Sequence, residues 1–171
     1  LFYIIAGPAG AYYGEPVSVL VYEDYIRATK GGYGFAKAAG NYAGTLLPVE
    51  LARKHGYKDV LWLDGEHKKY AQEVGTMNIF FAIDGKLVTP KTDGTILEGI
   101  TRGSIIQLAA DAGIAVEERD IAIEEIVEAH AAGTLTEMFG TGTAVVVNLV
   151  ERFGFRGKDY KLDASKFVIA P

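Results

Sequence analysis

Lys37 stands in Gly31-Gly32-Tyr33-Gly34-Phe35-Ala36-Lys37-Ala38-Ala39-Gly40-Asn41-Tyr42, a single lysine among small and apolar residues with a tyrosine close behind. An ammonium in apolar surroundings loses solvation, so its pKa falls. A lysine amine that is partly neutral near pH 7 attacks carbonyls and forms Schiff bases. Enzymes that use pyridoxal 5'-phosphate (PLP) hold their cofactor in this way. The ordinary alternative is a surface lysine in a glycine-rich loop, and the residue alone does not choose between them.

Other residues supply parts that such chemistry needs. Glu73, in Gln72-Glu73-Val74-Gly75-Thr76-Met77-Asn78, precedes an apolar run. It reads either as a solvated loop acid or as the carboxylate that keeps a pyridine nitrogen protonated and its ring an electron sink. Leu97-Glu98-Gly99-Ile100-Thr101-Arg102 leads into a helical pattern. Gly99 permits close backbone approach, and free first-turn N–H groups attract a phosphate, to which the Thr101 hydroxyl adds a bond. Thr101 reads equally as a helix cap. Phe139-Gly140-Thr141-Gly142-Thr143-Ala144 is an anion nest or a plain tight turn before a strand. Arg27 lies in Tyr25-Ile26-Arg27-Ala28 at a strand end, where an exposed arginine is ordinary. His55, His67 and His130 read as surface residues, and no His/Asp/Glu spacing has the form of a metal site.

The elements that would position these residues follow from periodicity and turn residues. Strands are expected at Val17–Tyr22, Val60–Leu63, Met77–Ile83, Lys86–Thr89, Ile114–Glu118 and Thr143–Val150, with a hairpin at Asp84-Gly85. Leu1–Ile5 is also strand-like. Helical spacing covers Gly40–His55, with Pro48 kinking it or in its first turn, then Thr101–Ala112 and Glu124–Ala132, the last two closed by Gly113 and Gly133. Strands outnumber helices, which points to a mixed α+β domain and away from a doubly wound parallel sheet.

At 171 residues, with 49% hydrophobic and 23% charged residues, the chain can build one domain with a real core. No repeat, linker or low-complexity tract divides it. A net charge of -5 argues against nucleic acid or an anionic membrane as partner. The absence of cysteine excludes disulfides, thiolate catalysis and thiolate metal sites, and it fits a cytoplasmic protein. No run reaches membrane-spanning length. The chain has no initiator Met and begins and ends in apolar runs, Leu1–Ile5 and Phe167–Pro171, so it reads as a piece of a longer protein.

Taken together and in order, five runs resemble the branched-chain amino acid aminotransferases of the fold-type IV group of PLP enzymes. They are Gly31–Tyr42 (GGYGFAKAAGNY), Val60–Asp64 (VLWLD), Glu73–Phe80 (EVGTMNIF), Asp93–Arg102 (DGTILEGITR) and Glu137–Ala144 (EMFGTGTA). Each has an ordinary reading singly, but their joint occurrence at family-like spacing reverses that weighing. The resemblance, from about Gly7 to Val150, implies an α+β fold: a mixed, largely antiparallel sheet forming a pseudo-barrel with flanking helices. It implies that Lys37 forms the Schiff base with PLP and moves the proton, that Tyr42 bonds the cofactor's phenolic oxygen, and that Glu73 pairs with the ring nitrogen. Ile100, Thr101 and Thr143 would bind the phosphate, with Arg27 supporting nearby. Thr76, Thr143 and Ala144 would lie near the substrate carboxylate.

The implied reaction moves the amino group of Leu, Ile or Val to 2-oxoglutarate, in a homodimer or higher homo-oligomer that takes small-molecule substrates and binds neither nucleic acid nor membrane. Residues 1–171 would be the large, PLP-binding domain, lacking a small N-terminal domain and the C-terminal end. The Cys pair of some family members has no counterpart in Val145–Asn148. A D-amino acid aminotransferase or aminodeoxychorismate lyase of the same fold type, or a non-catalytic scaffold, are the alternatives; the Glu-Val-Gly-Thr-Met-Asn run favours the branched-chain group.

Overall fold

The computed structural model describes residues 2–8, 15–144, 146–163 and 167–170. In chain order the strands are β1 (Val17–Val21), β2 (Asp59–Leu63), β3 (Ala71–Val74), β4 (Met77–Ile83), β5 (Lys86–Thr89), β6 (Val116–Glu118), β7 (Leu135–Thr141), β8 (Val147–Phe155) and β9 (Lys158–Lys161). The helices are α1 (Ala39–Ala43), α2 (Leu46–Lys54), α3 (Ile100–Asp111) and α4 (Ile123–Ala132).

Hydrogen bonding runs β3-β2-β1-β8-β7-β4, and β4 pairs again with β3. Six strands therefore close into a ring with no free edge along it. β5 and β6 extend the sheet from β4, and β9 pairs with β8. Only β1–β2, β1–β8 and β5–β6 are parallel, so the sheet is the mixed, largely antiparallel pseudo-barrel expected.

Alternation along the strands divides the core. All seven residues of β4 are buried because both its faces are covered. Ile79, Phe81 and Ile83 join Val19, Leu61, Val74, Met138 and Phe153 in a cluster drawn from all six ring strands, closed by Ile123 and Ile126 of α4. On the other face, Phe80 and Ala82 pack with Phe139, under Ile105, Ile106 and Ala109 of α3. Val60 and Trp62 of β2 likewise turn outward onto Val49 and Ala52 of α2. No helix among the described residues is long and apolar enough to cross a membrane.

Several expectations need correction. Phe139, Gly140 and Thr141 complete β7, so only the residues after Thr141 turn. Gly140 is there because of close approach: a Cβ would meet Val74 Cγ1 at 2.7 Å and Met77 Cε at 2.8 Å. The following strand begins at Val147 and runs to Phe155; Val145 lies outside the described residues. Phe2–Ile5 is no strand but an exposed segment, and Leu1 lies outside the described residues. The Gly40–His55 pattern is two helices, with Pro48 in the first turn of α2, where its missing N–H costs nothing. His130 is half-buried: its ring packs edge-on against Phe153 and Tyr160, and Nε2 lies 2.8 Å from the Lys161 carbonyl oxygen, tying α4 to β9.

Candidate active site

The strand register lays out one line of side chains on the outer face of the barrel. Trp62 is opposite Glu73, Glu73 opposite Asn78, and Asn78 opposite Thr141. Directly opposed residues in antiparallel pairs project to the same face. A carboxylate, an amide and a hydroxyl therefore cross β3, β4 and β7 side by side, all buried.

Glu73 is no loop acid. It lies within β3 and is 4% exposed. Its Oε2 is 3.0 Å from Arg27 Nε, and its Oε1 accepts the Leu97 N–H at 3.1 Å. Burial raises its carboxyl pKa to about 7, against the opposing pull of the Arg27 guanidinium, the Leu97 amide and the Lys37 ammonium. A carboxylate in this state ionises readily once a cation comes against it. The Arg27 side chain is buried too, and a terminal guanidinium nitrogen donates to the Thr95 carbonyl. The structure thus sets Arg27 against Glu73.

Lys37 Nζ lies 3.2 Å from the Tyr42 hydroxyl. The loop before Lys37 is fixed by Asn41, which is buried and donates from Nδ2 to both the Tyr33 and Ala36 carbonyls at 2.9 Å. The apolar enclosure expected around Lys37 is absent: the lysine is exposed, as are Tyr33 and Phe35 beside it. Tyr42, Glu73, Arg27, Thr76 and Leu97 line one small cavity.

The third part is the N-terminus of α3. Its N-cap is Gly99, with no side-chain cap, so Thr101 does not serve as one, and among the described residues no side chain caps the first turn. A Cβ at Gly99 would lie 2.2 Å from Asn78 Oδ1, so only glycine lets the helix start this close to β4. Thr101 Oγ1 donates to the Gly142 carbonyl at 3.3 Å and brings the turn bearing Thr143 and Ala144 to the helix end. Ile100, Thr143 and Ala144 are exposed, and Thr101 is half-buried. An uncapped helix start beside a glycine turn and two hydroxyls suits an anion such as a phosphate.

Lys37, Tyr42, Glu73, Arg27 and Thr76 are thus brought to one place, and Thr101 to Thr143. Leu97 and Asn78 connect the two groups. The sequence reading missed Asn78 and Asn41 as site residues. The signal for Asn78 was available: it is the single polar residue in an otherwise apolar strand.

A family model for class IV amino-transferases matches residues 7–149. The chain is 52% identical over 160 residues to a protein of Staphylococcus epidermidis named probable branched-chain-amino-acid aminotransferase, a match covering 91% of this chain and 45% of that protein. Among solved structures it resembles the branched-chain aminotransferase of the archaeon Thermoproteus uzoniensis with norvaline, at a TM-score of 0.79 and 31% identity, over 94% of this chain and 50% of the other. It also resembles an aminotransferase from Brucella abortus bound to the cofactor PLP, at a TM-score of 0.77 and 27% identity, over 92% and 52%. The chain spans about half the length of the curated relatives it matches.

Proposed function

The chain belongs to the class IV aminotransferase family, and from that premise we propose that the protein transfers the amino group of branched-chain L-amino acids (Leu, Ile, Val) to 2-oxoglutarate with PLP as cofactor. The observation that carries the reading is the buried carboxylate of Glu73 in the same cavity as Tyr42, the partner of Lys37. The names of the relatives support the branched-chain choice over a D-amino acid aminotransferase, an aminodeoxychorismate lyase or a scaffold.

The residues present fit this cofactor. Glu73 would meet the ring nitrogen, where a proton between the two satisfies a carboxylate whose burial otherwise favours its neutral form. Tyr42 would meet the phenolic oxygen. The uncapped start of α3 at Ile100 and Thr101, with Thr143, would hold the phosphate. When bound, PLP supplies a carbonyl carbon for amines and a protonated ring that delocalises the charge left at Cα.

Lys37 then has two tasks. Its amine would hold the cofactor, and the same amine would move the proton at the substrate Cα. The Tyr42 hydroxyl, 3.2 Å from Nζ, orients that amine. Arg27 supports Glu73 through its carboxylate Oε2, and through the Thr95 carbonyl it bears on the loop that leads towards the phosphate end. Thr76 and the Thr143-Ala144 turn, all exposed, would receive the substrate carboxylate.

The exposure of Lys37 and of Tyr33, Phe35, Leu46 and Leu47 is consistent with a covering small domain and a partner subunit in a homo-oligomer. The test is glutamate formation from 2-oxoglutarate by the full-length protein with L-leucine, L-isoleucine, L-valine and D-alanine. Turnover with the three branched L-amino acids is expected. Preference for D-alanine, or no turnover with any of them, would sink the assignment.

A further inference from the structure

Asn78 occupies a position that neither core packing nor the proposed chemistry accounts for. It is 6% exposed in a strand whose other six residues are apolar. A buried amide is costly unless its groups are hydrogen-bonded. Its Nδ2 donates to the Leu97 carbonyl at 2.8 Å and stands 3.5 Å from Glu73 Oε1. Leu97 is therefore clasped twice: its N–H is given to Glu73 Oε1 and its C=O receives the Asn78 amide. The same carbonyl also accepts the Gly99 N–H at 2.9 Å. Two residues past Leu97, Gly99 is the N-cap of α3, at a position where a Cβ would lie 2.2 Å from Asn78 Oδ1.

We propose that Asn78 is a positioning residue. Its side-chain amide joins the Glu73 carboxylate to the Leu97–Gly99 segment, so that the group meeting the cofactor ring nitrogen and the helix end meeting its phosphate are held at one fixed separation. This rests on the function proposed above. A ligand that engages both ends gains from their preorganised spacing, whereas a ligand that engages one end does not.

The distinguishing experiment compares full-length wild type with Asn78→Ala and Asn78→Asp, using equilibrium affinities for PLP, pyridoxal and inorganic phosphate, with thermal unfolding alongside. In Asn78→Ala, PLP affinity should fall about tenfold or more, while pyridoxal and phosphate each change less than about threefold. Asn78→Asp removes the donor and adds a carboxylate beside Glu73. Like charges favour the protonated form, so the pH midpoint of PLP binding should also move upward. An equal loss for all three ligands, or unchanged PLP affinity with only a lower unfolding temperature, would overturn the positioning role. The functional reading is checked separately in the same samples: if borohydride fixes no pyridoxyl label on Lys37 in the wild type, that reading fails, and this one with it.

Discussion

Replacing Glu73 by glutamine in the cofactor-free protein should change how stability responds to pH. Burial raises the Glu73 carboxyl pKa from 4.5 to about 7. Unfolding returns the group to its ordinary value, so between these two values the folded protein holds a proton that the unfolded chain has lost. Stability then falls as pH rises: the favourable contribution is complete below the unfolded value and is lost as pH passes through the folded one. At about 1.36 kcal/mol per pKa unit the whole shift is worth about 3 kcal/mol, most of it between pH 5 and pH 8.

Glutamine does not titrate. The variant therefore carries no pH-dependent contribution from this position, and the difference between the two profiles isolates the titration of Glu73 beside Arg27. The sole tryptophan, Trp62, is fully buried and stands opposite Glu73, which makes its fluorescence a local reporter of urea unfolding. From pH 5 to pH 8 the wild type should lose about 2–3 kcal/mol relative to E73Q. Profiles that stay parallel within about 0.5 kcal/mol would refute the picture of a buried, titrating carboxylate. A bound ligand with a protonated ring nitrogen should flatten the wild-type profile.

Two further variants probe the other ends of the site. Thr101→Ala removes a hydroxyl from the uncapped start of α3; hydrogen bonds to charged groups are worth about 1.5–3 kcal/mol, so PLP affinity should fall about tenfold or more while pyridoxal affinity holds. Asn41→Ala deletes both side-chain hydrogen bonds that fix the loop before Lys37; the Tyr33 and Ala36 carbonyls keep their backbone donors, Ala36 N–H and Ala38 N–H, so at a net value of about 0.5–1.5 kcal/mol per bond the loss should cost about 1–3 kcal/mol in urea unfolding and slow trapping of the cofactor on Lys37.

Much of this was legible in the sequence because the information is local. The hairpin at Asp84-Gly85 forms as read, with both residues at positive φ, the conformation that Asp-Gly favours between strands. α4 ends at Gly133 in the left-handed region, as a glycine stop should. Lys37 and Tyr42 lie on one loop and helix, so their meeting follows from sequence proximity. What stayed hidden depends on distant pairing. β7 looked like a turn because Gly140 and Gly142 break the strand pattern, yet β4 and β8 flank it and the missing side chain makes room for Val74 and Met77. The partnership of Arg27 with Glu73, and of Asn78 with Leu97, joins segments that only the closed ring brings together. The apolar neighbours of Lys37 in sequence do not enclose it in space: Tyr33 and Phe35 are themselves exposed.

The most direct test of the account is to incubate the full-length protein with PLP, reduce it with borohydride and map the modified peptide. A single pyridoxyl label on Lys37, lost in Lys37→Ala, is expected. A label on another lysine, or a protein that takes no label, would contradict it.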